Sequence, residues 1–191
     1  MSNDKYYVMD TTLGLIDGMA LDSMPDLPNE AKDDWMYGQA FTKAPKEPII
    51  VDISDDEENN IPVSFYSDPP VATNEFIGAL LEVGIDNLAI YDAVLRSWPD
   101  GEVEHKDYKA FNIIGLVKAA GPETEFATES RDGDASITKL QADTSAIKGL
   151  YMFRLAESWD TIVVHEKVKN HLESKSFIGL KFKELDGAFI L

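Results

Sequence analysis

The chain contains no cysteine. That excludes a disulfide framework, a thiol nucleophile and a thiolate metal site. No apolar run approaches the ~20 residues of a membrane span. The start, MSNDKYYVMD, lacks the basic lead and apolar stretch of a signal peptide, so a cytoplasmic protein is expected. No GxGxxG, phosphate-binding loop, GxSxG or paired metal motif occurs. No cofactor is therefore expected. Bases are scarce, 17 Lys and Arg against 35 Asp and Glu, and are not interleaved with aromatics. That argues against a DNA or RNA groove.

What the chain has in excess is negative charge, a formal −18. Residues 1–60 carry 14 acids and 4 bases, residues 61–130 carry 12 and 4, and residues 131–191 carry 9 and 9. The acidity is thus confined to the first two thirds. Such a field repels nucleic acid and anionic membranes, and it speeds encounter with a basic partner. The 191 residues, 44% hydrophobic, suffice for one domain with a real core, with 1–100 and 101–191 as its halves.

Pattern reading gives an α+β chain with mixed or antiparallel sheets and a few short helices. Strands are expected at 5–10, 47–53, 61–66, 88–95, 107–120, 136–142, 150–155, 161–164 and 180–185. Residues 13–47, rich in Pro, Asp and Gly, read as a surface excursion with a short helix at 29–36. Trp35, Met36, Tyr37 and Phe41 would pin it to the body. Thr73 opens a helix whose stripe is Phe76, Ile77, Leu80 and Leu81, and Gly84 stops it. A second helix is expected at 165–174. Aligning residues 61–90 with 153–182 at an offset of 92 places Thr73 on His165 and Leu80 on Leu172. Both copies read strand, helix, strand, although identity is low.

The stretch TIVVHEKVKNH holds two of the three histidines, His165 and His171. A zinc-hydrolase helix needs them four apart, on one face. Six apart, they lie about 240° from one another and do not chelate one ion. Val164, Val168 and Leu172 instead form a core stripe, with His165 near the helix cap. DISDDEENN, 52–60, lacks the glycine turn and distal Glu of a calcium loop. His105 and Asp107 share a strand face and could form an acid–base pair, though no nucleophile motif accompanies them.

The run GLYMFRLAESWDTIVVHEKVKNHLESKSFIGLKFKEL, 149–185, resembles the closing segment of a family of bacterial immunity proteins encoded beside polymorphic toxins. The family pattern is an iFRL strand, an acidic turn, an ivvSe strand-to-helix step and a tGl.F strand. Here these are Met152, Phe153, Arg154 and Leu155; residues 157–160; residues 162–166; and Ile178, Gly179 and Leu180 through Phe182. KYYVMD and DYKAFNII also fit the general layout. Two departures stand out. His165 replaces the usual serine cap, and GPETEFATES is not a clean match to the family's mid-chain acidic motif. The resemblance implies a non-enzymatic immunity protein that binds and occludes a cognate toxin domain.

Combined with the charge map, it implies a basic partner such as a nuclease groove, with no nucleic acid or membrane partner. The expected partner-binding loop is Asp52, Asp55, Asp56, Glu57 and Glu58. Asp33, Asp34 and Trp35 are a second candidate, an aromatic beside acids being suited to an interface anchor. The rival readings are an acidic nucleic-acid mimic that regulates a DNA-binding protein, and a small hydrolase using His105 and Asp107.

Overall fold

The computed structural model describes residues 4–10, 33–54, 64–65, 69–98, 103–127, 135–177 and 179–190. Over these residues the fold is α+β, with two short helices among strands in mixed and antiparallel sheets. Along the chain come β1 (Tyr6–Asp10), β2 (Ile49–Ser54), β3 (Ser64–Phe65), β4 (Val71–Thr73) and α1 (Asn74–Glu82). Then follow β5 (Leu88–Trp98), β6 (Glu104–Ile113), β7 (Leu116–Val117), β8 (Glu125–Phe126) and β9 (Ile137–Lys139). The chain closes with β10 (Met152–Leu155), β11 (Ser158–His165), α2 (Glu166–Ser174) and β12 (Lys181–Glu184).

One sheet has the order β12-β1-β11-β10-β7 and the other β2-β5-β6-β4-β3, while β8 and β9 form a separate pair. The sheets do not divide the chain at residue 100. The first strand, β1, pairs antiparallel with β11 and β12, and β6 joins β4 and β5.

Local chemistry sets both helices. Thr73 holds extended dihedrals, and its Oγ1 accepts from Phe76 N at 3.3 Å, satisfying an amide that the first turn leaves free. Phe76, Ile77, Ala79 and Leu80 are the buried face of α1. Leu81, expected in that stripe, is 48% exposed, and Ala79 takes its place. At the C-terminus Gly84 N donates to Leu81 O at 3.0 Å and Ile85 N to Leu80 O at 3.2 Å. This double closure needs a left-handed residue, and Gly84 supplies it at φ +94°. In α2 only Val168 and Leu172 are buried, a minimal stripe four apart.

The offset of 92 seen in the sequence aligns the helices end to end, 74–82 on 166–174. The likeness extends to pairing. In each sheet, the strand entering the helix and the strand following it flank an antiparallel middle strand, β6 in one and β1 in the other. Thr73 faces Tyr108 in register, and His165 faces Tyr6. The units differ in where the middle strand lies along the chain.

One apolar cluster joins both helices to one face of each sheet, through Phe76, Leu80, Val168 and Leu172 with Phe111 and Val164. Tyr6, Phe153 and Val163 face a second cluster, and Val71, Leu95 and Tyr108 a third. Both sheets are thus buried on both faces, which explains consecutive buried runs such as MFRL.

Several expectations need correction. The helix at 29–36 does not extend over its described part, where Trp35 and Met36 form a turn; residues 29–32 lie outside the described residues. The 61–66 strand pairs at Ser64–Phe65, its remainder lying outside them. The 161–164 strand begins earlier, at Ser158.

The long strand at 107–120 breaks at Ile114 and Gly115, where the chain leaves one sheet for the other. Ile114 N donates to Asn87 O at 2.8 Å, Gly115 N to Gly38 O at 2.8 Å, and Gly115 O accepts from Arg154 N at 2.8 Å. Gly38 has φ +62°, and a Cβ there would meet Gly115 O at 3.0 Å. Asn87 Nδ2 locks the crossing by donating to Ile114 O at 2.8 Å and Met152 O at 2.9 Å. Asn87→Ala strands both carbonyls. It is expected to cost about 1–3 kcal/mol, read as a lower urea midpoint at unchanged slope.

The helices are also tied by charge. Glu82 Oε2 lies 2.7 Å from Lys175 Nζ and 3.3 Å from His171 Nε2. The hydrogen bond from Lys175, then its charge, with a smaller part from His171, holds the Glu82 carboxyl below its ordinary value. A lowered folded-state pKa means the contribution is complete above the ordinary glutamate range and lost as pH falls through the lowered value. Glu82→Gln should therefore reduce stability at neutral pH and flatten the acid limb of a stability–pH curve. Parallel curves for the two proteins would disprove the link.

Candidate functional site

The residues expected to meet a partner fall into three groups. Asp55, Asp56, Glu57 and Glu58 lie outside the described residues. Asp33, Trp35 and Asp52 lie inside the protein, at 5%, 1% and 5% exposure. Asp34 is half-buried, and its Oδ1 accepts from Met36 N at 2.6 Å in a local turn.

Each buried member has a structural task. Asp33 accepts from Thr42 N and Thr42 Oγ1, both at 2.8 Å, closing the loop between them. Asp52 stands opposite Arg96 in the parallel β2–β5 pair. Its Oδ1 receives Arg96 Nε at 2.7 Å and Nη2 at 2.6 Å. Trp35 covers the outer face of its sheet beside Ile49, Val51 and Tyr108. Its ring meets Phe41 at 4.7 Å and Tyr91 at 5.7 Å, both edge-to-face. Those are contact distances, so no cation fits between the rings as in an aromatic cage. Trp35 is a core plug and not an exposed anchor. Its Nε1 is buried without a hydrogen-bond partner.

Tyr91, on the margin of this cluster, is pushed up by burial and then by the charges of Glu47 and Asp33. Asp92 pairs with Lys109 across the strands. Carboxylates that are exposed and outside any ion pair among the described residues are Glu47, Glu75, Asp86, Asp107, Glu123, Glu125, Asp143, Asp160 and Asp186. Six of the nine belong to the acidic first 130 residues; of the other three, Asp143 Oδ1 accepts from Ser145 N, Asp160 Oδ1 from Ser158 Oγ and Asp186 Oδ1 from Ala142 N. Phe126, next to Glu125 on β8, is 45% exposed. Sequence reasoning passed over this group because GPETEFATES carries no recognisable motif.

His105 and Asp107 form no ion pair with each other, and His105 stands opposite Leu95. The Asp107 charge instead acts on Tyr108, which burial first and that charge second push far above the ordinary tyrosine value. A shallow cavity of about 170 Å³ lies elsewhere, lined by Asp4, Tyr6, Thr144 and Asp186 among others. It is smaller than the roughly 300 Å³ at which small-molecule pockets begin. Among the described residues no group of three or more His, Asp or Glu could hold a metal ion. No helix among them is long and apolar enough to cross a membrane.

The histidines of TIVVHEKVKNH serve different joints. His171 reaches Glu82 of α1. His165 caps α2, its Nδ1 accepting from Lys167 N at 3.0 Å while Nε2 lies 3.5 Å from Asp4 Oδ1. Tyr6 and Tyr151 flank its ring at 5.2 and 5.3 Å. Burial, then Asp4, then Tyr151 push the Tyr6 hydroxyl up.

No protein-family model matches the chain, and no curated protein matches it.

The burial of Trp35 has a direct consequence. Trp35→Ala is expected to cost about 3–5 kcal/mol of folding stability through the cavity it leaves. Urea unfolding measures this, and an unchanged midpoint would return Trp35 to the surface candidates.

Proposed function

We propose that the chain is an immunity protein that binds a cognate secreted antibacterial toxin domain and neutralises it by occlusion, without turnover, in the cytoplasm of the producing cell. The observation carrying this reading is the set of exposed carboxylates outside ion pairs, six of whose nine members lie within the acidic first 130 residues. The resemblance of residues 149–185 to the immunity family supplies the class of partner.

Chemistry suggests a basic toxin, such as a nuclease whose groove must itself attract phosphate. An acidic protein competes for that groove and is drawn to it by the same field. Charge alone contributes rate and selectivity more than affinity, so an apolar anchor is also needed. Phe126, beside Glu125, takes the anchor role expected of Trp35.

The test begins with the toxin domain encoded beside this chain. Its expression should be survivable only with this protein present. In stopped-flow mixing, raising salt should lower the association rate, and replacing Glu75, Asp107, Glu123 and Glu125 by their amides should lower it about tenfold at low salt. Phe126→Ala should speed dissociation instead. A toxin that kills equally with and without the protein would end the immunity reading. An association rate indifferent to salt would end the charge-steering account alone.

A further inference from the structure

The two helices occupy equivalent places but are capped by different chemistry. In α1 the acceptor is the Thr73 hydroxyl, and in α2 it is an imidazole nitrogen of His165. A hydroxyl accepts at every pH at which the protein folds. An imidazole nitrogen accepts only while its lone pair is free. From this contrast we infer that His165 is a pH-sensitive helix cap, which releases the first turn of α2 when its ring is protonated.

The geometry selects one neutral tautomer. Lys167 N–H donates to Nδ1 at 3.0 Å, so Nδ1 carries the lone pair and Nε2 carries the hydrogen. Nε2 then faces Asp4 Oδ1 at 3.5 Å. Both contacts are served by that tautomer alone. On protonation Nδ1 also acquires a hydrogen, and two donors, Nδ1–H and Lys167 N–H, point at one another. The cap is lost, and a positive ring is left at the positive end of the helix.

Groups facing the ring come from three directions. From the β1 side, Asp4 Oδ1 lies 3.5 Å from Nε2 and Tyr6 packs edge-on at 5.2 Å. From the segment before β10, Tyr151 flanks it at 5.3 Å, and Tyr151 O accepts from His165 N at 2.9 Å. From α2 itself come the adjacent Glu166 and Lys167, the Lys167 Nζ lying 4.9 Å from the Tyr151 ring centroid. The side chain of His165 is only 16% exposed. The entering backbone stays fixed, because Glu166 N donates to Lys5 O at 2.8 Å independently of the ring. Protonation thus acts on the first turn and leaves the strand before it paired.

The molecule carries its own control. Phe76 N, one position further into its helix than Lys167, donates to the Thr73 hydroxyl and should not respond. The experiment is NMR on the full 15N-labelled chain from about pH 8 to about pH 5, the range in which imidazoles titrate. Imidazole nitrogen shifts report the tautomer and charge of His165. Amide hydrogen exchange, corrected for its intrinsic pH dependence, reports the caps.

The expected result is a neutral ring protonated at Nε2, with Lys167 protection falling about fivefold as the ring charges, the size expected for one lost cap. Phe76 protection should stay constant. In His165→Ser the hydroxyl restores a pH-independent acceptor, and the step at the start of α2 should vanish. A neutral ring protonated at Nδ1 would overturn the inference. So would Lys167 protection equal in both ring states, or a step that persists in His165→Ser. The first two readings come from the unaltered protein, so they decide the matter even if the variant does not fold.

Discussion

Everything in this fold depends on the contact between two helices too short to exist alone. Each has nine residues, below the length at which an isolated helix persists in water. In α2 only two side chains are buried. The helices survive because Phe76, Leu80, Val168 and Leu172 share one cluster with a face from each sheet. That cluster also sets the relation of the sheets, which touch little elsewhere except at the Ile114–Gly115 crossing. Asn87 matters there out of proportion to its size, since one amide holds carbonyls from both sheets.

The near-equivalence of the two units follows from the same requirement. A strand, helix and strand bury one side of the helix and leave the sheet's other face open. Placing two such units helix to helix completes the inner core and still requires a cover for each outer face. Those covers are unlike. Trp35 and its aromatic neighbours close one sheet, and the segment holding Ala135, Leu140 and Ile147 closes the other. The repeated part is therefore the inner one, and the parts that differ are the lids. The caps differ as well, Thr73 against His165, without changing the helix length.

What could be read from the sequence was what is decided locally. The Thr73 cap, the Gly84 stop and the step into α2 are each set within a few residues, so pattern and composition suffice. The crossing at Ile114 was invisible because IIGLV carries no polar side chain and its break is made by partners at Gly38, Asn87 and Arg154. Asp52 read as the edge of an acidic loop, but Arg96 lies 44 residues away and is brought beside it by parallel pairing. Trp35 among acids read as an anchor. Asp33 turns inward onto Thr42, and the uncovered sheet face takes the indole. In each case a long-range demand overrode a local cue.

The same burial constrains how such a protein could recognise anything. Core lies against both faces of the two five-stranded sheets, so the sheet surface left open among the described residues is at the edges, as on β12, and on the separate β8–β9 pair. Recognition then falls to rims and ends: the start of α1 at Glu75, the turn at Asp86, the outer part of β6 at Asp107, and the β8 segment with Glu123, Glu125 and Phe126. These are carboxylate-rich because the first 130 residues carry 26 acids against 8 bases. Arg96, Lys106, Lys109 and Lys175 already hold Asp52, Glu104, Asp92 and Glu82. The acids inside the fold are neutralised by nearby bases or by donors such as Thr42, and the unmatched charge is left at the rim. A field arising there reaches a partner before any contact forms, whereas charge held in pairs would cancel over the same distance.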